Sequence, residues 1–244
     1  MLQKRLSELA AVILFLLLAS TAITLFDADR LLVSLVPRDL VIAAAQSDCS
    51  RAWPGGNVFP WNMFYKWAAA PAVLLGAAAL AVLLAGIRLR KYASWRKEAV
   101  FILLLLALGP GLLINVLFKE EFGRARPREI VEFGGRQQFT PFWRPGNAGT
   151  NSSFPSGHAA IAFSVLAPWF VLREKQRRTA VLFLLLGLLF GTCVGIARIL
   201  QGAHFLSDIL WAGGLVYLVG ALLALLMRID NSKTTASKIE AGGP

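Results

Sequence analysis

Six apolar runs divide this sequence and constrain its fold more than any other feature. They fall at about 9–26, 67–87, 99–118, 159–172, 180–197 and 209–227. Most approach the ~20 apolar residues that a helix needs to cross about 30 Å of hydrocarbon, and the shorter fourth run is expected to begin earlier, at Pro155. Because a backbone in lipid must satisfy its own hydrogen bonds, each run is predicted to be helical. The sequence therefore predicts an all-α, six-span transmembrane bundle.

The placement of basic residues predicts how the bundle is oriented. The formal net charge of +11 could suggest that the protein binds nucleic acid. The basic residues are, however, concentrated in the loops at 88–97 and 173–178, which are therefore predicted to be cytoplasmic. Threading the chain through six spans puts both termini on that side. The terminal basic residues are Lys4, Arg5, Arg228, Lys233 and Lys238. We expect cytoplasmic termini, no nucleic-acid partner, and an uncleaved first run, although a signal peptide is the alternative for that run.

The predicted outer side carries three polar clusters, the first of which contains two cations. Lys119 and Arg126 lie seven residues apart where the third span ends. A lysine point charge and an arginine fork together suit a dianionic phosphate. Ordinary snorkelling of basic residues at a helix end is the simpler interpretation of this pair taken alone.

The second cluster leads directly into the fourth apolar run. Pro155 suits the first turn of a helix, and the free amides of such a turn form an anion site. Ser156 and Gly157 are therefore predicted to donate to a phosphate, and His158 to protonate a leaving oxygen. A helix cap with an interfacial histidine explains this cluster equally well.

The third cluster joins the fifth and sixth runs. His204 and Asp208 are four residues apart, which on a helix places them on one face, so that the carboxylate can accept the Nδ1 proton and leave Nε2 free to attack. Arg198, His204 and Asp208 are ionisable residues close to hydrocarbon, which predicts a functional site. A structural Arg198–Asp208 ion pair is the alternative.

Together the clusters resemble the motifs of the membrane-bound branch of the type 2 phosphatidic-acid phosphatase superfamily, which shares its phosphate site with vanadium haloperoxidases. The family pattern is Lys, six residues, Arg-Pro; then Pro-Ser-Gly-His; then Ser-Arg, five residues, His, three residues, Asp. Ala197 stands where the family usually has serine, which removes one possible hydroxyl donor. The matching residues are Lys119, Arg126, Pro127, Pro155, Ser156, Gly157, His158, Arg198, His204 and Asp208.

This resemblance implies a metal-independent phosphatase without a cofactor. The residues implied to hold the phosphate are Lys119, Arg126, Ser156, Gly157 and Arg198. His204 is implied to attack phosphorus and form a phosphohistidine, His158 to protonate the leaving group, and Asp208 to orient His204. Water then hydrolyses the phosphoenzyme. The two histidines of the chain both occupy these positions.

The implied substrate is an anionic membrane lipid at the periplasmic face of a bacterial inner membrane. Lipid A is favoured, because Arg128, Arg136 and Arg144 suit a multiply anionic headgroup and the run 123–135 resembles the bacterial lipid A phosphatase branch. Undecaprenyl pyrophosphate and phosphatidylglycerol phosphate are the alternatives. A lipid phosphotransferase, which would use the same phosphohistidine, is a further alternative. The alternative from a different functional class is a non-catalytic protein that binds or transports a lipid phosphate.

The remaining expectations concern domain organisation. Residues 1–228 are predicted to form one membrane-embedded domain, followed by a disordered cytoplasmic tail at 229–244. The first outer loop, Asp27 to Lys66, is expected to form a lid or a wall beside the lipid, with Trp53, Trp61 and Trp67 at the membrane interface. No obligate protein partner is inferred.

Overall fold

The computed structural model describes residues 2–37, 53–146 and 152–229. Within these residues five helical stretches are long and apolar enough to cross a membrane: Leu2–Leu25, Trp61–Arg88, Arg96–Phe118, Arg177–Leu200 and Leu206–Leu226. A shorter apolar stretch, Gly157–Leu172, corresponds to the fourth predicted run. At 1.5 Å per residue it is only about 24 Å long. The all-α transmembrane fold class is confirmed, and the count of six spans stays a prediction.

The described helices are, in chain order, α1 (Leu2–Leu25), α2 (Ala28–Ser34), α3 (Trp61–Lys66), α4 (Ala70–Arg88), α5 (Arg90–Ala93), α6 (Arg96–Leu106), α7 (Lys119–Glu121), α8 (Gly157–Phe163), α9 (Ala167–Leu172), α10 (Arg177–Leu200) and α11 (Leu206–Leu226). A π-helix, Ala107–Phe118, joins α6 to α7. Short 3-10 turns occur at Pro54–Asn57, Pro127–Glu129, Val131–Phe133 and Ser164–Leu166.

The core forms where α8, α9 and α11 meet the end of α6. Phe163, Leu166 and Phe170 are buried there, and the Phe101 ring packs at a tilt against Phe170, with 5.8 Å between ring centroids. Small residues on α10 allow the close approach of α8, because any side chain at Gly191 would collide with the Phe163 ring. This packing fixes the short α8 inside the bundle.

Charged residues extend α1 beyond its predicted apolar run and attach it to its neighbours. The Glu8 carboxylate accepts from Arg5 at 3.0 Å, from Arg173 at 2.6 Å and from the Tyr217 hydroxyl at 2.7 Å. Because these partners come from three segments, the predicted cytoplasmic end of the bundle is held by a polar network.

The π-helix brings the end of the third predicted span against the second polar cluster. Pro110 lies inside it and donates no hydrogen bond, and Asn115 Nδ2 donates to the Pro110 carbonyl at 2.6 Å. The Asn115 side chain lies against Gly157 so closely that a Cβ there would clash with it. The wider helical turn therefore positions Asn115 beside the start of α8.

One expectation about the end of the domain and one about Trp53 differ from the structure. Ile229 is buried in the core, so the packed part extends past the predicted boundary at residue 228. The rest of the predicted tail, 230–244, and the part of the first outer loop at 38–52 lie outside the described residues. Trp67 is 64% exposed, as an interfacial tryptophan would be, but Trp53 is 1% exposed, so its predicted interfacial position is wrong.

Candidate active site

A cavity of about 480 Å³ lies between α3, the end of α10, and the turns at Pro54–Asn57 and Pro127–Glu129. Its lining consists of Trp53, Asn57, Tyr65, Arg126, Arg128, Arg198 and Gln201. Among the described residues this lining holds three arginines and no acidic side chain. Its charge therefore favours an anion.

The cavity brings together Arg126 of the first polar cluster and Arg198 of the third, and the second cluster adjoins it; the other predicted site residues are not part of its lining. Arg126 and Arg198 both line it, and the His158 ring stacks on Tyr65 at 5.1 Å between centroids. The charges of Arg198, Lys119 and Arg126 all act on His158. Residues as far apart in the sequence as Lys119 and Arg198 thus share one electrostatic environment.

Arg198 is 8% exposed at the end of α10. Its guanidinium lies 4.8 Å from the centre of the Tyr65 ring and donates to Gln201 Oε1. Its Nε has no hydrogen-bond partner among the described residues. The Arg198–Asp208 ion pair, which the sequence left as an alternative, is not formed, since Asp208 pairs with Arg124.

Arg126 begins the turn Pro127–Glu129. Its backbone N–H donates to Glu129 Oε2 at 2.9 Å, and its Nη1 lies 3.9 Å from Glu129 Oε1. Burial lowers the pKa of Arg126, although a guanidinium remains cationic near neutral pH. A cation that has lost part of its water binds an anion more strongly than an exposed one.

His204 lies in the connection between α10 and α11 and is 2% exposed. Its Nδ1 is 2.7 Å from the carbonyl oxygen of Ser153 and 3.5 Å from Asp208 Oδ2. Because a carbonyl oxygen only accepts, Nδ1 carries the proton and Nε2 is left with its lone pair. Burial lowers the pKa of His204 from its usual 6.5 to about 4, which keeps the imidazole neutral at pH 7.

The relation between His204 and Asp208 differs from the predicted one in its geometry. α11 begins only at Leu206, so the two residues do not share a helical face. Asp208 lies in the first turn of α11, and its Oδ2 accepts the Phe205 N–H at 2.8 Å. The carboxylate thus turns back toward the connection and reaches His204. The shorter contact of Nδ1 is with the Ser153 carbonyl, not with Asp208.

A buried charge network lies behind Asp208, and the three sequence motifs do not predict it. Arg124 is fully buried and donates to Asp208 Oδ1 at 2.5 Å and to Asp29 Oδ2 at 2.8 Å. The Ser207 hydroxyl accepts from Arg124 and donates to Asp29 at 2.6 Å. Ser153 Oγ also donates to Asp208. Asp29 on α2 is thereby connected to the residue that faces His204.

The sequence offers no signal that distinguishes the role of Arg124 from that of Arg126. Residues 122–126 have no helical structure, and Arg126 has extended backbone angles. In a straight extended segment, successive side chains alternate in direction, so residues two apart, such as Arg124 and Arg126, would point the same way. Here Arg124 and Arg126 point to different surroundings, one into the buried network and the other to the cavity. The tight Arg-Ala-Arg spacing alone does not tell the two roles apart.

Ser156 is less available to a ligand than predicted. Its backbone N–H donates to the carbonyl of Asp208 at 3.2 Å, and its hydroxyl accepts from Ala159 N at 3.4 Å as the cap of α8. The predicted amide donation from Ser156 is therefore replaced by a bond that joins α8 to α11. The hydroxyl proton of Ser156 remains for donation, and Gly157 follows as the first residue of the helix.

The described part of the first outer loop contributes to the cavity wall. Gln201 Nε2 donates to the Gly56 carbonyl at 3.5 Å, and the Trp53 ring covers Gly202, which has a φ of +58°. Trp53 also packs edge-on against Phe133 at 6.1 Å. The turn at Pro54–Asn57 is thus seated on the connection that carries His204.

Among the described residues, five helical stretches of membrane length and an arginine-lined cavity define a multi-pass membrane protein with a candidate anion site. Residues 98–232, more than half of the chain, match the sequence profile of the PAP2 superfamily. The chain therefore belongs to the PAP2 superfamily, and the resemblance noted from its motifs is confirmed.

Individual relatives are similar over about half of the chain. The lipid A 4'-phosphatase of Francisella tularensis subsp. novicida (strain U112) is 33% identical over 135 residues, 55% of this chain and 60% of that protein. The lipid A 4'-phosphatase of Rhizobium leguminosarum is 37% identical over 136 residues, 53% of this chain and 55% of that protein. The phosphatidylglycerophosphatase B of Bacillus subtilis (strain 168) is 31% identical over 144 residues, 57% of this chain and 62% of that protein.

One solved structure resembles the whole fold. The crystal structure of a transmembrane PAP2 type phosphatidylglycerolphosphate phosphatase from Bacillus subtilis superposes with a TM-score of 0.51 at 19% identity. The superposition covers 90% of this chain and 96% of that one. At this identity the similarity establishes the fold alone.

Proposed function

We propose that this protein is a lipid phosphatase that hydrolyses a phosphate ester through a phosphohistidine on His204. The observation that carries the proposal is the contact between His204 Nδ1 and the Ser153 carbonyl, which leaves Nε2 unprotonated in a neutral, buried ring. A merely structural phosphate clamp would have no use for an imidazole held in this tautomer.

In the proposed reaction Nε2 of His204 attacks phosphorus and the ester P–O bond breaks. His158 gives a proton to the leaving oxygen; the three nearby cations disfavour a charged His158 in the free protein, and the negative charge of a bound phosphate offsets them and favours the protonated imidazole. A water then attacks the phosphohistidine and gives a proton to His158, the P–N bond breaks, and inorganic phosphate leaves. Asp208 stabilises the positive charge that His204 carries while it is phosphorylated.

The cations account for stabilisation of the transition state. Negative charge spreads over the equatorial phosphoryl oxygens, and Lys119, Arg126 and Arg198 are proposed to bind them. Ser156 contributes its hydroxyl and Gly157 its amide. The burial of Arg198 supports this role, because a desolvated guanidinium with an open Nε donor attracts an oxyanion more strongly than an exposed one.

Lipid A is the substrate that we propose. Two of the relatives at 33% and 37% identity are named lipid A 4'-phosphatases. Undecaprenyl pyrophosphate and phosphatidylglycerol phosphate are the second candidates, and the relative named phosphatidylglycerophosphatase B favours the latter. The proposed location is a bacterial inner membrane, with the cavity at its periplasmic face and both termini in the cytoplasm.

Phosphate release from three lipids tests this function. Detergent-purified protein, with EDTA and without added metal, is expected to release phosphate from lipid A faster than from undecaprenyl pyrophosphate or phosphatidylglycerol phosphate. His204→Ala should reduce release by at least about 1000-fold, because covalent catalysis is lost. An equally active His204→Ala protein would refute the mechanism.

Further measurements distinguish metal-dependent hydrolysis, phosphoryl transfer and simple binding from the proposed reaction. Loss of activity in EDTA that Mg²⁺ restores would contradict metal independence. Transfer of the phosphoryl group to an added acceptor lipid, in place of release, would identify a phosphotransferase. Binding of all three lipids without release or transfer would favour a non-catalytic lipid-phosphate protein.

A further inference from the structure

A third arginine, Arg128, lines the cavity beside Arg126 and Arg198 although it lies outside the three motifs. Arg136 and Arg144, which the sequence grouped with it, are exposed side chains outside the cavity lining. The structure therefore separates one of the three additional arginines from the others.

The backbone holds Arg128 in a fixed relation to the connection that carries His204. Its N–H donates to the Gly202 carbonyl at 2.9 Å, within the 3-10 turn Pro127–Glu129. The same turn is closed by Glu129, whose carboxylate accepts the Arg126 N–H. The backbone position of Arg128 is thus set before any ligand binds, so binding does not have to order this part of the main chain.

The Arg128 side chain makes no hydrogen bond or ion pair that is found among the described residues, whereas Arg198 donates to Gln201. The charge of Arg128 instead acts unfavourably on both Arg126 and Arg198. Three like charges facing one cavity are stabilised by an anion that more than one of them contacts.

The cavity is larger than one phosphoryl group requires. Its volume of about 480 Å³ lies within the roughly 300–1,000 Å³ range of sites that hold whole small-molecule ligands. A single phosphate held by Arg126 and Arg198 would leave space beside Arg128.

We propose that Arg128 forms a second anionic subsite, which binds a phosphate group of the lipid headgroup other than the one that is cleaved. This inference rests on the proposed function and makes it more specific, because it assigns the preference for a lipid with two phosphates to one residue. The second phosphate is either the neighbouring group of a diphosphate or a phosphate on another position of a sugar headgroup.

Matched lipids test the subsite. For the full-length protein in detergent, kcat/KM is measured on lipid A and its two monophosphorylated forms, and on undecaprenyl pyrophosphate and undecaprenyl monophosphate. Wild type is expected to prefer the lipid with two phosphates in at least one pair. Arg128→Gln should reduce that preference on the order of 10- to 100-fold, the effect of one charge-assisted hydrogen bond, with little change on the monophosphates. The pair that loses its preference identifies the source of the second phosphate.

Arg136→Gln is the matched control, since it removes the same charge from the same loop outside the cavity, and it should keep the wild-type preference. An equal fall of Arg128→Gln on both members of each pair, or an unchanged preference, would overturn the subsite while the phosphatase function stands. If wild type releases phosphate from no lipid, the proposed function fails. Calorimetric titration then decides: tighter binding of inorganic pyrophosphate than of orthophosphate, lost in Arg128→Gln, supports the subsite, and identical binding by both proteins refutes it.

Discussion

His204 Nδ1 has two acceptors, and each is suited to a different part of its chemistry. The Ser153 carbonyl, at 2.7 Å, fixes the tautomer of the neutral ring. Asp208, at 3.5 Å, supplies the negative charge that an imidazolium or a phosphohistidine needs. The tautomer therefore does not depend on the carboxylate alone.

This division predicts a partial effect for Asp208→Asn. We expect turnover to fall about 10- to 1000-fold, less than the roughly 10⁴-fold seen where an aspartate alone sets the tautomer, because the carbonyl still orients the ring. Phosphate release at saturating lipid provides the measurement. A loss as complete as that of His204→Ala would show that Asp208 is the orienting partner after all.

Asp29→Asn is the control for Asp208→Asn, because both carboxylates bind Arg124 and only Asp208 faces His204. It should lower the melting temperature, since a buried guanidinium loses one of its charged partners, and it should keep more turnover than Asp208→Asn. Equal turnover of the two variants would mean that the network acts only through stability.

At the scale of elements, the α10–α11 connection determines the site. It carries Gly202 at a φ of +58°, in contact with Trp53, and then places His204 and the first turn of α11. Most residues are strained in this left-handed conformation, and glycine is not. The connection also accepts the Arg128 N–H, so one short segment organises both the proposed nucleophile and the cavity wall.

Gly202→Ala is therefore expected to impair the protein. The left-handed backbone costs about 1–2 kcal/mol for a residue with a Cβ, and the added methyl would lie 2.5 Å from the Trp53 ring. We expect a lower melting temperature and lower phosphate release. Gly55→Ala is the matched control, because its Cβ would meet Leu200 at an ordinary 3.7 Å. Comparable losses in both variants would contradict the role given to the connection.

At the scale of the whole molecule, the proposed orientation follows from the distribution of charge. Arg90 is the first residue of α5, in the basic segment 88–97 after α4, and Arg136 lies in the segment between α7 and α8 that adjoins the cavity. The stretch Arg96–Phe118 separates the two segments, so a membrane crossing by this stretch puts them on opposite faces, and the basic segment of Arg90 is the one expected in the cytoplasm.

Accessibility to a membrane-impermeant maleimide tests this orientation. In a chain with Cys49 and Cys193 replaced by alanine, Arg136→Cys should be labelled from the periplasmic side, in cells whose outer membrane is permeabilised. Arg90→Cys should be labelled only after the inner membrane is also disrupted. Both positions are exposed, so a negative result reflects topology and not burial. The reversed pattern would place the cavity on the cytoplasmic side.

The sequence by itself determined what depends on local composition and spacing. Apolar runs of membrane length predict helices because a lipid-exposed backbone has no other way to satisfy its hydrogen bonds. The three motifs at fixed spacing were sufficient to recognise the family, as the match over residues 98–232 confirms. Helix ends were less well predicted, because charged residues such as Arg5 and Arg177 also belong to helices.

Only the tertiary structure decided which partner each polar side chain has. The Ser153 carbonyl, the Arg124–Asp29 pair and the burial of Trp53 against Gly202 join segments that are far apart in the sequence. Arg128 differs from Arg136 only in where the folded chain places it. Such contacts depend on how the helices and loops pack together, and neither composition nor spacing along the chain specifies that packing.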